Sequence, residues 1–101
     1  MTYILYDNSN DSIIAKILLY LDYLNYDLEP DIVEKDIIDF PAYITCIPSI
    51  ITYDGEIFSG ERECVLFYHN ITNILHLREK AEDFKNIQPK YHKTLRKVKI
   101  D

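Results

Sequence analysis

Apolar residues recur along the chain in two rhythms. Thr2-Tyr3-Ile4-Leu5-Tyr6 is rich in β-branched and aromatic residues and stops at the polar cluster Asp7-Asn8-Ser9-Asn10, which predicts a short strand followed by a turn. Ile13, Ile14, Ile17, Leu18, Tyr20, Leu21 and Leu24 then return every three or four residues, the period of a helix with a broad apolar face. Asn10, Asp11 or Ser12 can cap it by accepting the first free backbone N–H groups. Tyr26-Asp27-Leu28-Glu29 reads as a second strand. A strand, a helix and a strand in this span make a βαβ unit, with parallel strands and a right-handed crossover.

Pro30 followed by Asp31 to Asp39 predicts a short helix or turn, with proline at its first position. Phe40-Pro41-Ala42-Tyr43 connects it to Ser49-Ile50-Ile51-Thr52-Tyr53 and Glu56-Ile57-Phe58-Ser59, two strands joined as a hairpin through Asp54-Gly55. After Gly60, a helical stripe of Cys64, Val65, Leu66, Tyr68, Ile71, Ile74 and Leu75 is interrupted near His69-Asn70-Ile71-Thr72. There Asn70 or Thr72 can cap a further helix running to about Phe84. Beyond Gln88-Pro89 no apolar period is sustained, and the tail reads as an exposed extension or a short helix that docks only on a partner. The order β-α-β-α-β-β-α describes an α/β domain over residues 1–84 and a C-terminal extension over 85–101. A ferredoxin-like alternative needs another strand after the last helix, which the tail does not supply.

Composition narrows the class. The 101 residues, 48% hydrophobic with 2 Gly and 4 Pro, suffice for one core and exclude disordered or low-complexity chains. Heavy use of Ile, Tyr, Asp and Asn suggests an AT-rich coding sequence, as in some viruses, protists and bacteria. No apolar run approaches the roughly 20 residues that span a bilayer, and no signal segment opens the chain, so a cytoplasmic protein, or one carried within a virion, is expected. Charge divides sharply: thirteen carboxylates against four cations from Met1 to Arg78, then four against seven to Asp101. Lys90, Lys93, Arg96, Lys97 and Lys99 make the end a candidate interaction tail, attracted to copies of the acidic body or to other polyanions. Cys46 and Cys64 have neither a CxxC spacing nor a histidine cluster beside them; two free thiols are expected, without disulfide or metal.

Ile47-Pro48-Ser49-Ile50-Ile51, followed by Asp54-Gly55 and Gly60-Glu61, resembles one wall of the active site in the thioredoxin fold. The chain resembles a glutaredoxin, or the amino-terminal domain of a glutathione transferase, without the CxxC cysteines. That resemblance covers residues 2 to about 69 and implies a thioredoxin-like mixed four-stranded sheet with flanking helices and a cis bond before Pro48. Aligning Tyr6 and Ala15-Lys16 with the family pattern lays Ser9-Asn10-Asp11-Ser12 over the redox motif. Serine cannot exchange with a disulfide, so dithiol oxidoreductase activity is not expected.

The resemblance offers catalytic candidates all the same. Ser9 or Ser12 would hold a glutathione thiolate, as hydroxyls do in some transferases, or would simply cap the helix. Cys46 stands where glutaredoxins often have threonine, either a relocated redox centre or a structural thiol. A retained glutathione site would use the backbone of Ile47 beside Pro48, and Gly60, Glu61 and Arg62 at a helix N-terminus for the γ-glutamyl carboxylate. Asp7, Asn8, Asn10 and Asp11 supply no basic residue, and an acidic loop repels an anionic tripeptide. The favoured expectation is therefore a non-catalytic protein-binding or structural module without cofactor, acting with a protein partner or as a homo-oligomer, such as a subunit of a larger assembly. The alternative is a glutathione-binding, transferase-like or degenerate glutaredoxin enzyme. Nucleic acid is a weaker partner, because the tail carries only Tyr91 for stacking.

Overall fold

The computed structural model describes residues 2–9 and 11–87, the last three as backbone only. The tail residues Lys90, Lys93, Arg96, Lys97 and Lys99 lie outside the described residues. The elements are β1 (Tyr3–Tyr6), α1 (Ile13–Tyr23), β2 (Ile32–Glu34), a 3-10 turn (Ile37–Asp39), β3 (Ser49–Thr52), β4 (Ile57–Ser59), α2 (Gly60–Thr72) and α3 (Leu77–Ile87). The four strands form one mixed sheet in the order β2-β1-β3-β4. β1 runs parallel to β2 and antiparallel to β3, and β3 pairs antiparallel with β4.

α1 starts at Ser12, whose hydroxyl accepts the Ala15 N–H at 3.0 Å. It ends where Asn25 turns left-handed at φ 69°, with its N–H bonded to Asp22 and the Tyr26 N–H reaching back to Leu21. These crossed bonds satisfy the last helical carbonyls, and Asn tolerates this backbone region better than most residues. α1 buries Ile13, Ile14, Ile17 and Leu21. Opposite them lie Tyr3, Leu5 and Ile50 of the sheet, with Cys64, Phe67 and Tyr68 of α2 and Leu77 and Ala81 of α3. The ring of Phe84 closes α3 onto Tyr20 and Tyr23.

Register assigns each sheet face its residues, since side chains alternate along a strand. Val33, Leu5, Ile50 and Phe58 form one row across the four strands, and Ile32, Ile4, Ile51 and Ile57 form the neighbouring row on the opposite face. The helices pack on the first face. On the second, Phe40 meets Tyr6 edge-on at 5.2 Å, while Ile32 and Ile57 stay exposed.

Several expectations from the sequence are corrected. Tyr26-Asp27-Leu28-Glu29 is not the second strand: it is the return of the crossover, where the Leu28 carbonyl accepts the Tyr3 hydroxyl. The segment expected as a short helix or turn after Pro30 begins with that strand, because Ile32 and Val33, both β-branched, pair with Ile4 and Leu5, and turns only at its end, in the 3-10 turn Ile37–Asp39. The helix break lies at residues 73–76, marked by positive φ at Asn73 and His76, and Phe67 rather than Leu66 faces the core. α3 also runs past residue 84, to Ile87.

The Tyr3 hydroxyl donates to the Leu28 carbonyl and shares a 2.9 Å hydrogen bond with Tyr68. Burial, before any other cause, holds both phenols well above their ordinary value of 10.0, and burial also pushes the Cys64 thiol from 9.0 to about 12. In all three the folded protein keeps a proton that the unfolded chain releases, so their contribution to stability is complete below the unfolded values and is lost as pH rises beyond them. Stability measured by urea titration should start to fall near pH 9 and steepen beyond pH 10, by about 1.4 kcal/mol per pH unit for each group titrating only in the unfolded chain. Tyr3→Phe, which strands the Leu28 carbonyl, should cost about 1–3 kcal/mol, and Tyr68→Phe less, as it leaves that bond in place.

Candidate functional site

The end of β1, the start of α1, the loop before β3 and the start of α2 meet at one pole of the sheet. Asp7, next after β1, is buried with only 5% exposure. Its carboxylate accepts the Ser12 hydroxyl proton, and its backbone N–H donates to Glu34. One Ser12 oxygen therefore caps α1 and satisfies the buried carboxylate. Ser9, in the exposed loop, accepts the Asp11 N–H at 3.1 Å. Of the residues proposed to hold a thiolate, Ser12 already has its proton committed and Ser9 serves a local turn.

The Ile47–Pro48 bond is cis. The Pro48 carbonyl accepts the Gly60 N–H at 2.8 Å and the Cys64 S–H at 3.5 Å, which ties the loop to the start of α2. Ser49, fully buried, donates its hydroxyl to the Cys46 carbonyl at 2.6 Å. Gly60 adopts φ 88°, a region closed to most side chains, and an added Cβ there would stand 3.9 Å from the Cys46 sulfur. Two free thiols were expected, without a disulfide. Both border the Pro48–Gly60 contact, and both are free, Cys46 exposed and Cys64 buried. Asp7 and Cys46 add to the burial that raises the Cys64 thiol, leaving it protonated and inert at neutral pH.

Among the described residues, neither backbone group of Ile47 has a hydrogen-bond partner. Ser59 makes no side-chain cap bond to α2; Glu63 instead turns back to the Ser59 N–H at 3.0 Å. Glu61 is drawn toward α3 by Arg78, which also pairs with Glu82 at 3.6 Å, while Arg62 lines the cleft between α2 and α3 with Val65, His69 and Leu77. The structure thus brings Ser12, Cys46, Ile47, Pro48 and Gly60 together and leaves the Glu61 and Arg62 side chains facing elsewhere. Asp7, Ser49 and Cys64 complete the pole; the sequence marked Asp7 only as a carboxylate of the acidic loop, Cys64 only as a free thiol and Ser49 only as part of a strand. Only the five-residue spacing from Asp7 at a strand end to Ser12 at a helix start hinted at the first.

Among the described residues no group of three or more His, Cys, Asp and Glu side chains could hold a metal ion, and no helix is long and apolar enough to cross a membrane. No protein-family profile matches the chain, and no curated protein or solved structure matches it either.

A thiol reagent should modify Cys46 quickly in the native protein and Cys64 only after denaturant is added; two equally fast thiols would contradict the packing around Pro48. Ser12→Ala should cost more than the ~1 kcal/mol of a lost helix cap, because it also strips Asp7 of its hydroxyl donor. Paired denaturation of Ser12→Ala and Asp7→Ala/Ser12→Ala measures the difference.

Proposed function

We propose that this chain is a thioredoxin-like module retained for binding protein rather than for redox chemistry, acting as a structural or adaptor subunit. The strand order and directions and the cis bond before Pro48 support the thioredoxin-like reading. The carrying observation for binding is the helix-free face of the sheet. Its isoleucine row of Ile32, Ile4, Ile51 and Ile57 is exposed at both ends, at Ile32 and Ile57, and Ile37, Ile38 and Tyr43 after β2 are exposed as well, Ile38 at 89%. Exposed apolar side chains grouped on a sheet face are candidates for an interaction surface. The engagement of Ser12 with Asp7 supports the non-catalytic half of the reading.

A second reading, a glutathione-binding protein, is favoured by one observation: the backbone of Ile47 has no hydrogen-bond partner among the described residues, beside Pro48, whose carbonyl accepts the N–H of Gly60 at the start of α2. That backbone could pair with an extended peptide, and a helix N-terminus favours a carboxylate. Glu61 and Glu63 in the first turn already supply negative charge there and oppose an anionic ligand.

Titration of isotope-labelled protein with glutathione to roughly 10 mM, which tests for affinity down to the millimolar range, should give no saturable shift at Ile47, Glu61 or Arg62; saturable shifts clustered there would put the second reading ahead. Ile38→Lys and Ile57→Lys should change stability by no more than about 0.5 kcal/mol while lowering the binding of an apolar fluorescent dye, as expected of surface positions. A loss comparable to a core substitution would show the face to be part of the monomer's core and overturn the binding reading.

A further inference from the structure

The break between α2 and α3 opens a cleft of about 320 Å³, at the small end of the ~300–1,000 Å³ found for ligand pockets. α2 lines it with Arg62, Val65, Leu66 and His69, whose spacing of three, four and seven residues puts them on one helix face. The turn into α3 and its first residues supply His76, Leu77, Arg78 and Glu79. Both arginines and both histidines among the described residues meet here, in a chain of formal net charge −6. An acidic protein that gathers these side chains in one cleft favours a negative ligand there.

The existing pairings leave a place for one negative charge. Arg78 is engaged by Glu61 and Glu82, and His76 lies 3.3 Å from Glu79. Arg62, which is exposed, makes no hydrogen bond or ion pair with the described residues. His69 is fixed by a 2.9 Å bond from Nδ1 to the Ile74 carbonyl; the carbonyl can only accept, so Nδ1 carries the proton and Nε2 is the nitrogen left to meet a ligand. A dianion such as phosphate would set a second charge against Glu79 with only one unpaired cation to receive it. The rest of the lining is apolar. Leu77 is buried, Val65 packs against the core, and Leu66 is half-exposed. Arg62 and His69 lie about 10 Å apart along the helix axis, close to the length of an extended eight-carbon chain.

We propose that the cleft between α2 and α3 binds an unbranched aliphatic monocarboxylate. The carboxylate sits on the Arg62 guanidinium, which can hold both of its oxygens at once. The hydrocarbon chain runs along Val65, Leu66 and Leu77 toward His69, and each methylene withdrawn from water adds affinity. This site is separate from the helix-free face of the sheet and from Ile47, and it does not rest on the protein-binding reading.

The test titrates octanoate to roughly 10 mM into isotope-labelled full-length protein at constant pH and ionic strength. Saturable shifts should appear at Val65, Leu66, His69 and Leu77, with Ile47, Ile4 and Ile51 unmoved. Affinity should rise from butanoate to octanoate by up to about fourfold per methylene. Arg62→Gln, at an exposed and unpaired position, should weaken octanoate about fivefold, with the signals of Ile14 and Ile50 unchanged as the check on folding. No saturable shift in the cleft, shifts centred instead on Ile4 and Ile51, or equal affinity of wild type and Arg62→Gln would each overturn the proposal. Glutathione is read at Ile47, which octanoate leaves unmoved, and dye binding at Ile38 and Ile57, so the readings fail separately.

Discussion

The structure depends on Tyr3. Its hydroxyl bonds to the Leu28 carbonyl and to Tyr68, its main-chain carbonyl accepts the Asp31 N–H, and its ring meets Phe67 edge-on at 5.1 Å. One fully buried residue thereby joins β1 to the return of the crossover, to the start of β2 and to the middle of α2. Neither phenol could remain unpaired in that environment without a penalty of about 1–3 kcal/mol. The pairing therefore does more than add a bond: it dictates how far the chain must travel after α1 before β2 can begin.

The same strand organises the opposite pole. Asp7 follows β1 directly, and its place beneath the Ser12 cap fixes where α1 starts relative to the sheet. Through Pro48, Gly60 and Cys64, the loop before β3 is held against the start of α2. The two poles differ in kind. At the Tyr3 pole the polar groups are tied into packed rings; at the Asp7 pole buried polar groups are satisfied within the chain, yet Cys46 and the backbone of Ile47 remain accessible.

Much of this was legible in the sequence where local and global signals agree. α1 shows its period and its cap, and the Asp54-Gly55 turn announces the hairpin, with Gly55 at φ 97° as such a turn requires. β2 was misplaced because two local signals pointed the wrong way: Tyr26 and Leu28 alternate like a strand, and proline followed by Asp and Glu imitates a helix start. Pairing with β1 overrode both, since a strand position is decided by its partner. At the site, the cap on Ser12 was among three open possibilities, whereas the Asp7–Ser12 bond spans a loop and leaves no periodic trace. The direction taken by the Glu61 and Arg62 side chains depends on α3, whose placement no short motif encodes.

The least legible feature was the one-sided sheet. β1 and β3 are apolar on both faces, and a strand of that kind ordinarily lies between two covering layers. The sequence suggested a short helix or turn after Pro30. What forms is a single 3-10 turn at Ile37–Asp39, closed by Asp36 accepting the Ile38 N–H and followed by the extended Phe40 before Pro41. A turn of three residues cannot cover four strands, so Phe40 shields Tyr6 and the isoleucine row beyond it is left half-covered. The strand rows span roughly 15–19 Å by 10–13 Å, about a quarter of the ~800 Å² per partner of a standard stable interface. By itself this face is therefore too small to hold two copies together. The shortening of one element thus leaves half-covered what the sequence presents as surplus core.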